Sequence, residues 1–564
     1  MIVTLILFAV YFCVFAIYGD AFLKMIRAID ASEGLLVRIS SRIMIGMAVC
    51  TGLSLIINLF LPLEPWPNAT LVAGAMVLGI SILRRRARLV ITHFSLRLPW
   101  TVIELAAYAI IFLFILINAQ TIPSNFDTSL YHAQTIRWAE EYRVVPGIVH
   151  LHSRLAYNSS WLALNALLSF VWVNGTSFHV LPAFFFLVIL IELTGSAVKL
   201  HNSVTVSRLY SLFAVPALFY ISAAEISSPG TDLPVLLIST IMVKRFIEQC
   251  ELGQTSRARQ VVLLVLSIWV VTIKLSGIPL VIFGLLVLLF AKEKRWVMKT
   301  ATGLIALLWV PWMIRSGLMS GYPVYPLTFP DIFFFDWKVP PERLLSEQRV
   351  LRAWALVPGM NVNEALSLPF LRWLKMWFID LTLNRRILTM AAFLSPLWLF
   401  LLRSISRVHN RSRIDQIWLA ILPVYTGLVY WFFTAPDIRF GFTYILPCAL
   451  ISVTAGLAFL ESIIGRAKIN RCLLTSGQIF ACLIVLVLFL RSVNVKDITT
   501  HLLYPSDYPI MPTEPCKMGD FQVFCAQSYS QCWYKPFPCV PSPSETTYLR
   551  GVDWQSGFFF EAIQ

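Results

Sequence analysis

The sequence predicts an all-α polytopic membrane protein with about 14 transmembrane helices. Of its 564 residues, 58% are hydrophobic and only 13% are charged, and the mean hydropathy is +0.74. A soluble domain carries about 25% charged residues, roughly twice this share. Apolar runs also recur from one end of the chain to the other, and about 20 such residues cross a bilayer as a helix. The composition therefore excludes a soluble globular fold.

The candidate spans are the apolar runs that polar or basic residues bound on each side. The first run could pass for a signal peptide, but no basic segment precedes it and no small-residue cleavage site follows, so we interpret it as a helix. The predicted spans cover residues 1–19, 43–62, 70–83, 101–118, 180–198, 209–222, 232–243, 260–273, 276–291, 300–315, 388–402, 416–433, 441–461 and 473–490.

The formal net charge of +15 would suit a nucleic-acid-binding protein, but its distribution favours another explanation. More than half of the 45 Lys and Arg residues fall in every second connection, including the run from Arg84 to Arg88 and the group Lys292, Lys294 and Arg295. The short opposite connections 63–69, 223–231 and 434–440 are nearly free of basic residues. The positive-inside rule then places both termini outside the cytoplasm. We predict a lipid bilayer and no nucleic acid as partner.

This topology divides the chain into four predicted regions. They are N-terminal transmembrane helices (1–100), a membrane core (101–462), a last transmembrane helix (463–490) and an outer Cys-containing tail (491–564). The core carries two long outer loops, 119–179 and 316–387. These three outer segments are where soluble chemistry is expected.

The first outer loop contains two predicted helices. Residues 133–142 form one, with Glu140 and Glu141 expected on its solvated face, and the apolar run 161–172 is interpreted as a helix at the membrane interface. Treating the second run as a span would invert the positive-inside order of everything downstream.

The second outer loop mixes aromatic, basic and apolar residues. Residues 371–386 have the pattern of an interfacial amphipathic helix. The Tyr-Pro-rich stretch 321–326 and the acidic, aromatic stretch 331–337 are predicted to act as a lid or as a sugar-contacting surface.

Four of the ten cysteines, Cys516, Cys525, Cys532 and Cys539, crowd into the tail. Their spacing is wider than the Cys-x-x-Cys pairs of zinc sites. Two disulfides in an oxidising compartment explain them better, although the sequence leaves the pairing open.

Asp127 is the leading candidate for chemistry. It lies in Asn125-Phe-Asp-Thr-Ser-Leu-Tyr-His132, shortly after the apolar run 101–118, where a carboxylate is costly and is a functional candidate by default. The alternative is a capping Asp at the start of the following helix.

Further ionisable residues occupy other outer connections, namely Asp232, Lys274, Asp437 and Arg439. Each has a structural alternative: Asp232 as a helix cap, Lys274 as a snorkelling side chain, and Asp437 with Arg439 as a local ion pair. Together, carboxylates facing Lys and Arg suit a phosphorylated lipid, with the cations binding phosphate and a carboxylate acting as general base.

His132, His150 and His152 could suggest a metal site, but their spacing matches no metalloprotease helix, and no Cys or Glu completes a ligand set. We therefore expect hydrogen bonding within the loop. No cofactor is required by the sequence, and a divalent cation stays open.

Four stretches resemble the GT-C superfamily, polytopic glycosyltransferases that use polyprenyl-phosphate-linked sugars. The closest branch contains the protein O-mannosyltransferases and the aminoarabinose transferase of lipid A, and a bacterial group from surface-polysaccharide loci is similar too. The stretches are Phe126-Asp-Thr-Ser-Leu-Tyr131, Asn158-Ser-Ser-Trp through His179, Thr231-Asp-Leu-Pro-Val235 and Asp437-Ile-Arg-Phe-Gly through Pro447. The chain departs from the family in having one Asp where an acidic pair is common, and in three helices that precede the family's first.

The resemblance implies a GT-C-like membrane core in which Asp127 is the catalytic base and Lys274 and Arg439 lie near the donor phosphate. Tyr131, His132, Asp232 and Asp437 are expected to contact substrate. The implied activity is inverting transfer of a sugar from a polyprenyl-phosphate donor to a glycan, lipid or protein acceptor, at the outer face of a bacterial plasma membrane.

Two alternatives stay open. A lipid-linked oligosaccharide ligase or polymerase would use a pyrophosphate donor with Arg and His from a large outer loop, for which His150, His152 and Arg154 are available. A glycolipid transporter or flippase would place ionisable residues near the centres of several helices, whereas the predicted helix centres here are largely apolar.

Overall fold

The computed structural model describes residues 1–29, 34–87, 102–201, 204–253, 256–405, 408–464, 487, 501–527 and 531–561. The described chain is mostly helical, with short strands confined to the C-terminal tail. Its α-helices are α1 (Ile2–Met25), α2 (Leu35–Asn58), α3 (Trp66–Ala87), α4 (Val102–Asn118), α5 (Ala133–Glu141), α6 (Ser160–Leu167), α7 (Val171–Asn174), α8 (Leu181–Ala197), α9 (Val206–Ser222), α10 (Asp232–Leu252), α11 (Arg257–Ile273), α12 (Val281–Phe290), α13 (Lys294–Ser320), α14 (Pro341–Leu356), α15 (Val362–Ser367), α16 (Phe370–Asp380), α17 (Leu383–Phe393), α18 (Ser395–Ile405), α19 (Val408–Thr434) and α20 (Ile438–Ile464).

Seven of the described helices are long and apolar enough to cross a membrane, and a bent pair, α17 with α18, raises the number to eight if it counts as one span. The membrane class predicted from composition is consistent with this, but the count of about fourteen is not confirmed. Several predicted spans are shorter apolar helices here, as in 66–81, 105–118 and 275–290. The predicted last helix, 463–490, lies almost wholly outside the described residues.

The first two helices, α1 and α2, pack closely because glycines let their backbones touch. A Cβ atom at Gly19 would lie 1.9 Å from the carbonyl oxygen of Arg42, and one at Gly46 would lie 1.9 Å from that of Phe15. Small residues at such crossings permit the short interhelical distances typical of membrane helices.

A buried ionic network joins α2, α8 and α10. Glu192 accepts hydrogen bonds from Lys244 Nζ (3.2 Å), Arg245 Nη2 (2.6 Å) and Ser40 Oγ (2.5 Å), and all four side chains are buried. The span predicted over 232–243 ends too early, because α10 continues to Leu252 and buries Lys244 and Arg245 against Glu192.

The C-terminal tail forms two small sheets. One has the order β1 (Thr513–Met518), β2 (Phe521–Ala526) and β3 (Cys539–Val540), and the other pairs β4 (Thr547–Leu549) with β5 (Phe558–Phe560). The two predicted disulfides are confirmed, and the pairing left open is Cys516–Cys525 and Cys532–Cys539. The first joins neighbouring strands β1 and β2, whose register places Glu514 opposite Cys525 and Cys516 opposite Val523.

Candidate functional site

Asp127 lies at the centre of a cluster of charged side chains. Its Oδ2 atom is 2.9 Å from Nη2 of Arg439, and its Oδ1 atom is 3.6 Å from Nη1 of Arg154. The capping alternative is wrong because the Asp127 side chain makes no capping hydrogen bond to the π-helical turn that follows, Thr128–His132. Asn125 Oδ1 instead accepts from the backbone N–H of Asp127 at 2.8 Å, which restrains the main chain at this residue.

Asp232 and Lys274 complete the charged cluster. Lys274 donates a short hydrogen bond to Asp232 Oδ1, and Arg439 Nε lies 3.7 Å from Asp232 Oδ2. Lys274 and Arg439 also lie against the ring of Phe440, 3.8 Å and 4.9 Å from its centroid. The side chains of this cluster are between 15% and 28% exposed, so water and a ligand can reach them. The predicted convergence of four separate connections is therefore observed.

Asp437 has a different place from the one expected of a substrate ligand. Its Oδ1 atom accepts from the backbone N–H of Arg439 at 2.8 Å, and its backbone carbonyl accepts from Trp431 Nε1 at 2.8 Å. The alternative, a local ion pair between Asp437 and Arg439, is not observed, because the guanidinium of Arg439 points to Asp127 and Asp232. Asp437 thus shapes the start of α20 and helps to orient Arg439.

A turn at residues 158–160 holds the end of α11 and thereby Lys274. Ser159 Oγ donates to the carbonyl of Ile273 at 2.8 Å, and Ser160 Oγ lies 2.8 Å from Thr272 Oγ1. The last carbonyls of a helix lack intrahelical partners, so Ser159 caps one of them from outside. Lys274 follows in an extended conformation, with φ −156° and ψ 132°.

The same turn is anchored by Arg315, a buried cation of α13. Its Nε atom donates to Asn58 Oδ1 at 3.0 Å and its Nη1 atom donates to Asn158 Oδ1 at 2.5 Å. Asn158 adopts a positive φ of 52° and donates through Nδ2 to the carbonyl of Trp312 at 2.7 Å. Neutral amide oxygens therefore solvate this arginine, and the turn is fixed from two sides.

Tyr131 and His132 lie in the π-helical turn directly after Asp127. Both are buried, at 9% and 2% exposure. Burial lowers the pKa of His132 to about 4, so its ring is neutral at pH 7, and its Nε2 atom has no hydrogen-bond partner among the described residues. Burial, together with Asp127, raises the pKa of Tyr131 well above its usual range. Both side chains thus form part of the protein interior next to the carboxylate of Asp127.

Residues beyond the predicted set extend the site on the side of Arg154. Glu347 of α14 accepts from Tyr157 Oη at 2.8 Å and from Ser153 Oγ at 3.2 Å. The Tyr157 ring lies 5.6 Å from Tyr131 and 6.0 Å from Tyr325 of the Tyr-Pro-rich stretch. Arg154 was predicted only for an alternative function and Glu347 was not predicted, because nothing in the sequence links α14 to the first outer loop.

The helix after the site, α5, carries a buried carboxyl rather than a fully solvated face. Glu140 is 2% exposed and lies near Glu64, which is 8% exposed. Glu141 is exposed and forms an ion pair with Arg137. The expectation of a solvated face is thus wrong for Glu140. The backbone N–H of Glu64 donates to the backbone carbonyl of Glu140 at 3.3 Å, which places the two residues side by side.

The disulfide loop 532–539 binds the segment that carries the site. The N–H groups of Cys532 and Trp533 both donate to the carbonyl of Ser129, at 2.9 Å and 2.8 Å. Gln134 Nε2 donates to the carbonyls of Trp533 and Pro536, at 2.8 Å and 2.9 Å. The tail therefore restrains a residue two positions from Asp127.

The histidines of the first outer loop do not join the charged cluster as a metal site. His150 contacts the carbonyl of Trp337 through Nε2 at 2.8 Å and stacks on Phe560. Within the described ranges, no group of three or more His, Cys, Asp or Glu side chains could hold a metal ion. Burial lowers the pKa of His150 to about 4 and that of His152 to about 3, so both rings are neutral near pH 7.

Comparison with known proteins assigns a family. Residues 1–446 match the family model described as "Domain of unknown function (DUF8201)", and the chain belongs to that family. The match includes Asp127, Asp232, Lys274 and Arg439, and it ends within α20, before the disulfide-bonded tail. None of the curated proteins matches this chain.

Proposed function

We propose that this DUF8201 protein is an inverting, integral-membrane glycosyltransferase that uses a polyprenyl-phosphate sugar. The observation that carries the proposal is the ion-paired cluster of Asp127, Arg439, Asp232 and Lys274, assembled from four separate connections at the ends of apolar helices. A carboxylate beside two cations, next to a membrane span, suits a reaction between a hydroxyl and a lipid phosphate. The expected setting is a bacterial plasma membrane, with the site on its outer face.

In the proposed reaction, Asp127 removes the proton of an acceptor hydroxyl. The hydroxyl oxygen attacks the anomeric carbon of the donor sugar, the bond from that carbon to the phosphate oxygen breaks, and the electron pair leaves with polyprenyl phosphate. Attack opposite the leaving group inverts the anomeric configuration. General base catalysis of this kind contributes about 10²–10⁴-fold to a rate.

Arg439 and Lys274 would stabilise the charge that develops on the phosphate. In the described structure both cations are paired with the site's own carboxylates, so an arriving phosphate competes for them. A guanidinium can bind phosphate through two parallel N–H bonds, while an ammonium acts as a point charge. Drawing Arg439 towards phosphate would also free Asp127 to accept a proton.

The test is transfer from radiolabelled polyprenyl-phosphate sugars by the full-length protein in its own membranes. Asp127→Asn should lower the rate at least 100-fold with unchanged protein level, because an amide cannot accept the proton. Asp415→Asn is the matched control, since Asp415 is an exposed residue of α19 that pairs with Arg403, away from the charged cluster. Full activity of Asp127→Asn would refute the assignment.

A second candidate, a ligase or polymerase that uses a lipid-pyrophosphate donor, is favoured by one observation. Arg154, from the large first loop, approaches Asp127 to 3.6 Å. Product length separates the two candidates, because single-sugar addition supports the transferase, and block or polymer transfer supports the ligase.

A further inference from the structure

We infer that the acceptor is a glycan and that its terminal sugar binds between Arg154, Tyr157 and Glu347. This inference rests on the proposed function, because it takes Asp127 as the base that meets the acceptor hydroxyl. It narrows the acceptor from glycan, lipid or protein to one chemical class. We call this set of residues, with Ser153, the acceptor subsite.

The location follows from the two sides of Asp127. One carboxylate oxygen faces Arg439 at 2.9 Å, and Asp232 and Lys274 lie beyond that arginine. A donor phosphate held by Arg439 and Lys274 therefore occupies this side. The other oxygen faces Arg154 at 3.6 Å, so an acceptor hydroxyl reaches Asp127 from the side of Arg154.

The side chains at the acceptor subsite suit a neutral sugar. Glu347 accepts hydrogen bonds from the hydroxyls of Tyr157 and Ser153, which are the same kind of donor that a sugar presents. Arg154 is a quarter exposed, and its ion pair with Asp127 is long, so its N–H groups are available to hydroxyl oxygens. A carboxylate and a guanidinium together can satisfy both the donors and the acceptors of a sugar ring.

The subsite is also held rigidly before any ligand arrives. Gln348, next to Glu347, donates through Nε2 to the carbonyl of Pro326 at 2.6 Å, which fixes α14 to the Tyr-Pro-rich stretch. Tyr325 of that stretch packs against Tyr157. Pre-organised groups lower the entropy lost on binding, which matters for a hydroxylated ligand that water solvates well.

Other acceptor classes fit this surface less well. An anionic lipid headgroup would meet the carboxylate of Glu347, and like charges repel each other. One common mode of recognition adds an extended peptide to an exposed strand edge, whereas this subsite is built from the turn Ser153–Tyr157 and the helix α14.

The experiment is a binding measurement on the full-length protein in nanodiscs, which needs no turnover. Three probes are compared: an array of neutral oligosaccharides, with hits measured by saturation-transfer NMR, a Ser/Thr-containing decapeptide, and lipid A. We expect binding of an oligosaccharide, weakened roughly tenfold or more by Glu347→Gln, since a hydrogen bond to a charged group is lost. Tyr157→Phe, which keeps the ring, should weaken it about threefold. Glu364→Gln, at an exposed position of α15, is the matched control.

Each outcome decides the inference. Oligosaccharide binding that depends on Glu347 and Tyr157 supports it. Binding that neither variant changes, binding of the decapeptide or lipid A in place of oligosaccharide, or no oligosaccharide binding at all overturns it. Oligosaccharide binding at the subsite without transfer from any polyprenyl-phosphate sugar would refute the proposed donor chemistry and leave the subsite standing.

Discussion

Replacing Glu64 by Gln should stabilise the protein at alkaline pH and change little at acidic pH. Glu64 Oε1 accepts from Ser169 Oγ at 3.1 Å and from the N–H of Phe170 at 2.9 Å, and Glu140 Oε2 accepts from Tyr534 Oη at 2.7 Å. The remaining oxygen of each carboxyl has no hydrogen-bond partner, and neither residue has an ion-pair partner in the described chain. Two buried carboxyls without a cation are best accommodated in their protonated, neutral forms.

The groups around this pair set the sign of the pH dependence. Tyr11 of α1, Tyr508 and Tyr534 of the tail, and Glu141 of α5 face it, and none of them is cationic. Burial, with Glu140 as the next cause, raises the pKa of Glu64 to about 8, and burial raises that of Glu140 to about 7. In the unfolded chain a Glu titrates near 4.3, so the folded form binds more protons between these values. The free energy of unfolding therefore falls as the pH rises from about 5 to 8.

The magnitude follows from the same values. Each unit of pKa is worth about 1.4 kcal/mol, so ionising a carboxyl whose pKa is raised to about 8 costs on the order of 3–5 kcal/mol. A Gln at this position keeps the shape and stays neutral. At roughly 1–2 °C per kcal/mol for a long chain, the Tm of Glu64→Gln should exceed that of wild type by about 3–10 °C at pH 8.5.

The assay is thermal unfolding in detergent, followed by tryptophan fluorescence at half-unit steps from pH 5 to pH 9. Glu364→Gln is the matched control, since Glu364 is exposed on α15 and is not one of the groups that face the pair. Its Tm curve should run parallel to that of wild type. A wild-type Tm that stays level or rises between pH 6 and pH 8.5, or a Glu64→Gln curve with the wild-type slope, would show that Glu64 is not held in its protonated form.

Two further predictions concern the supports of the site. Ser159→Ala removes the outer cap of α11, a hydrogen bond worth about 1 kcal/mol, and should displace Lys274. The KM for a polyprenyl-phosphate donor should then rise about threefold to tenfold, while kcat changes less. An unchanged KM would contradict this positioning role. Cys532→Ser combined with Cys539→Ser should lower the free energy of unfolding by about 2 kcal/mol and leave the main chain near Ser129 open to limited proteolysis, whereas a digestion pattern like that of wild type would show that the loop binds without its disulfide.

The sequence by itself determined the class of the protein and most of the charged cluster. Hydropathy marks a membrane helix because every backbone polar group in lipid must be satisfied within the helix, a constraint that depends only on local composition. The cost of a carboxylate beside an apolar run is equally local, which is why Asp127 could be chosen before any contact was known. The tail cysteines followed from spacing and compartment, and the structure confirmed two disulfides.

Only the tertiary structure decided which charges meet. Asp437 and Arg439 are two residues apart, yet one closes a turn and the other spans two carboxylates from distant parts of the chain. Glu140 follows a polar helical pattern and is nevertheless buried, because the disulfide-bonded tail and the connection carrying Glu64 cover that face of α5. Burial of this kind depends on elements hundreds of residues away, and no local pattern records it.

Glu347 illustrates the same limit for the proposed acceptor subsite. It lies on a mostly exposed helix whose sequence resembles any solvated amphipathic segment. Its meeting with Ser153 and Tyr157 arises from how α14 folds back over the first loop, held by Gln348 on Pro326. Side-chain chemistry was readable from the sequence, whereas the distances that turn it into a site come from packing.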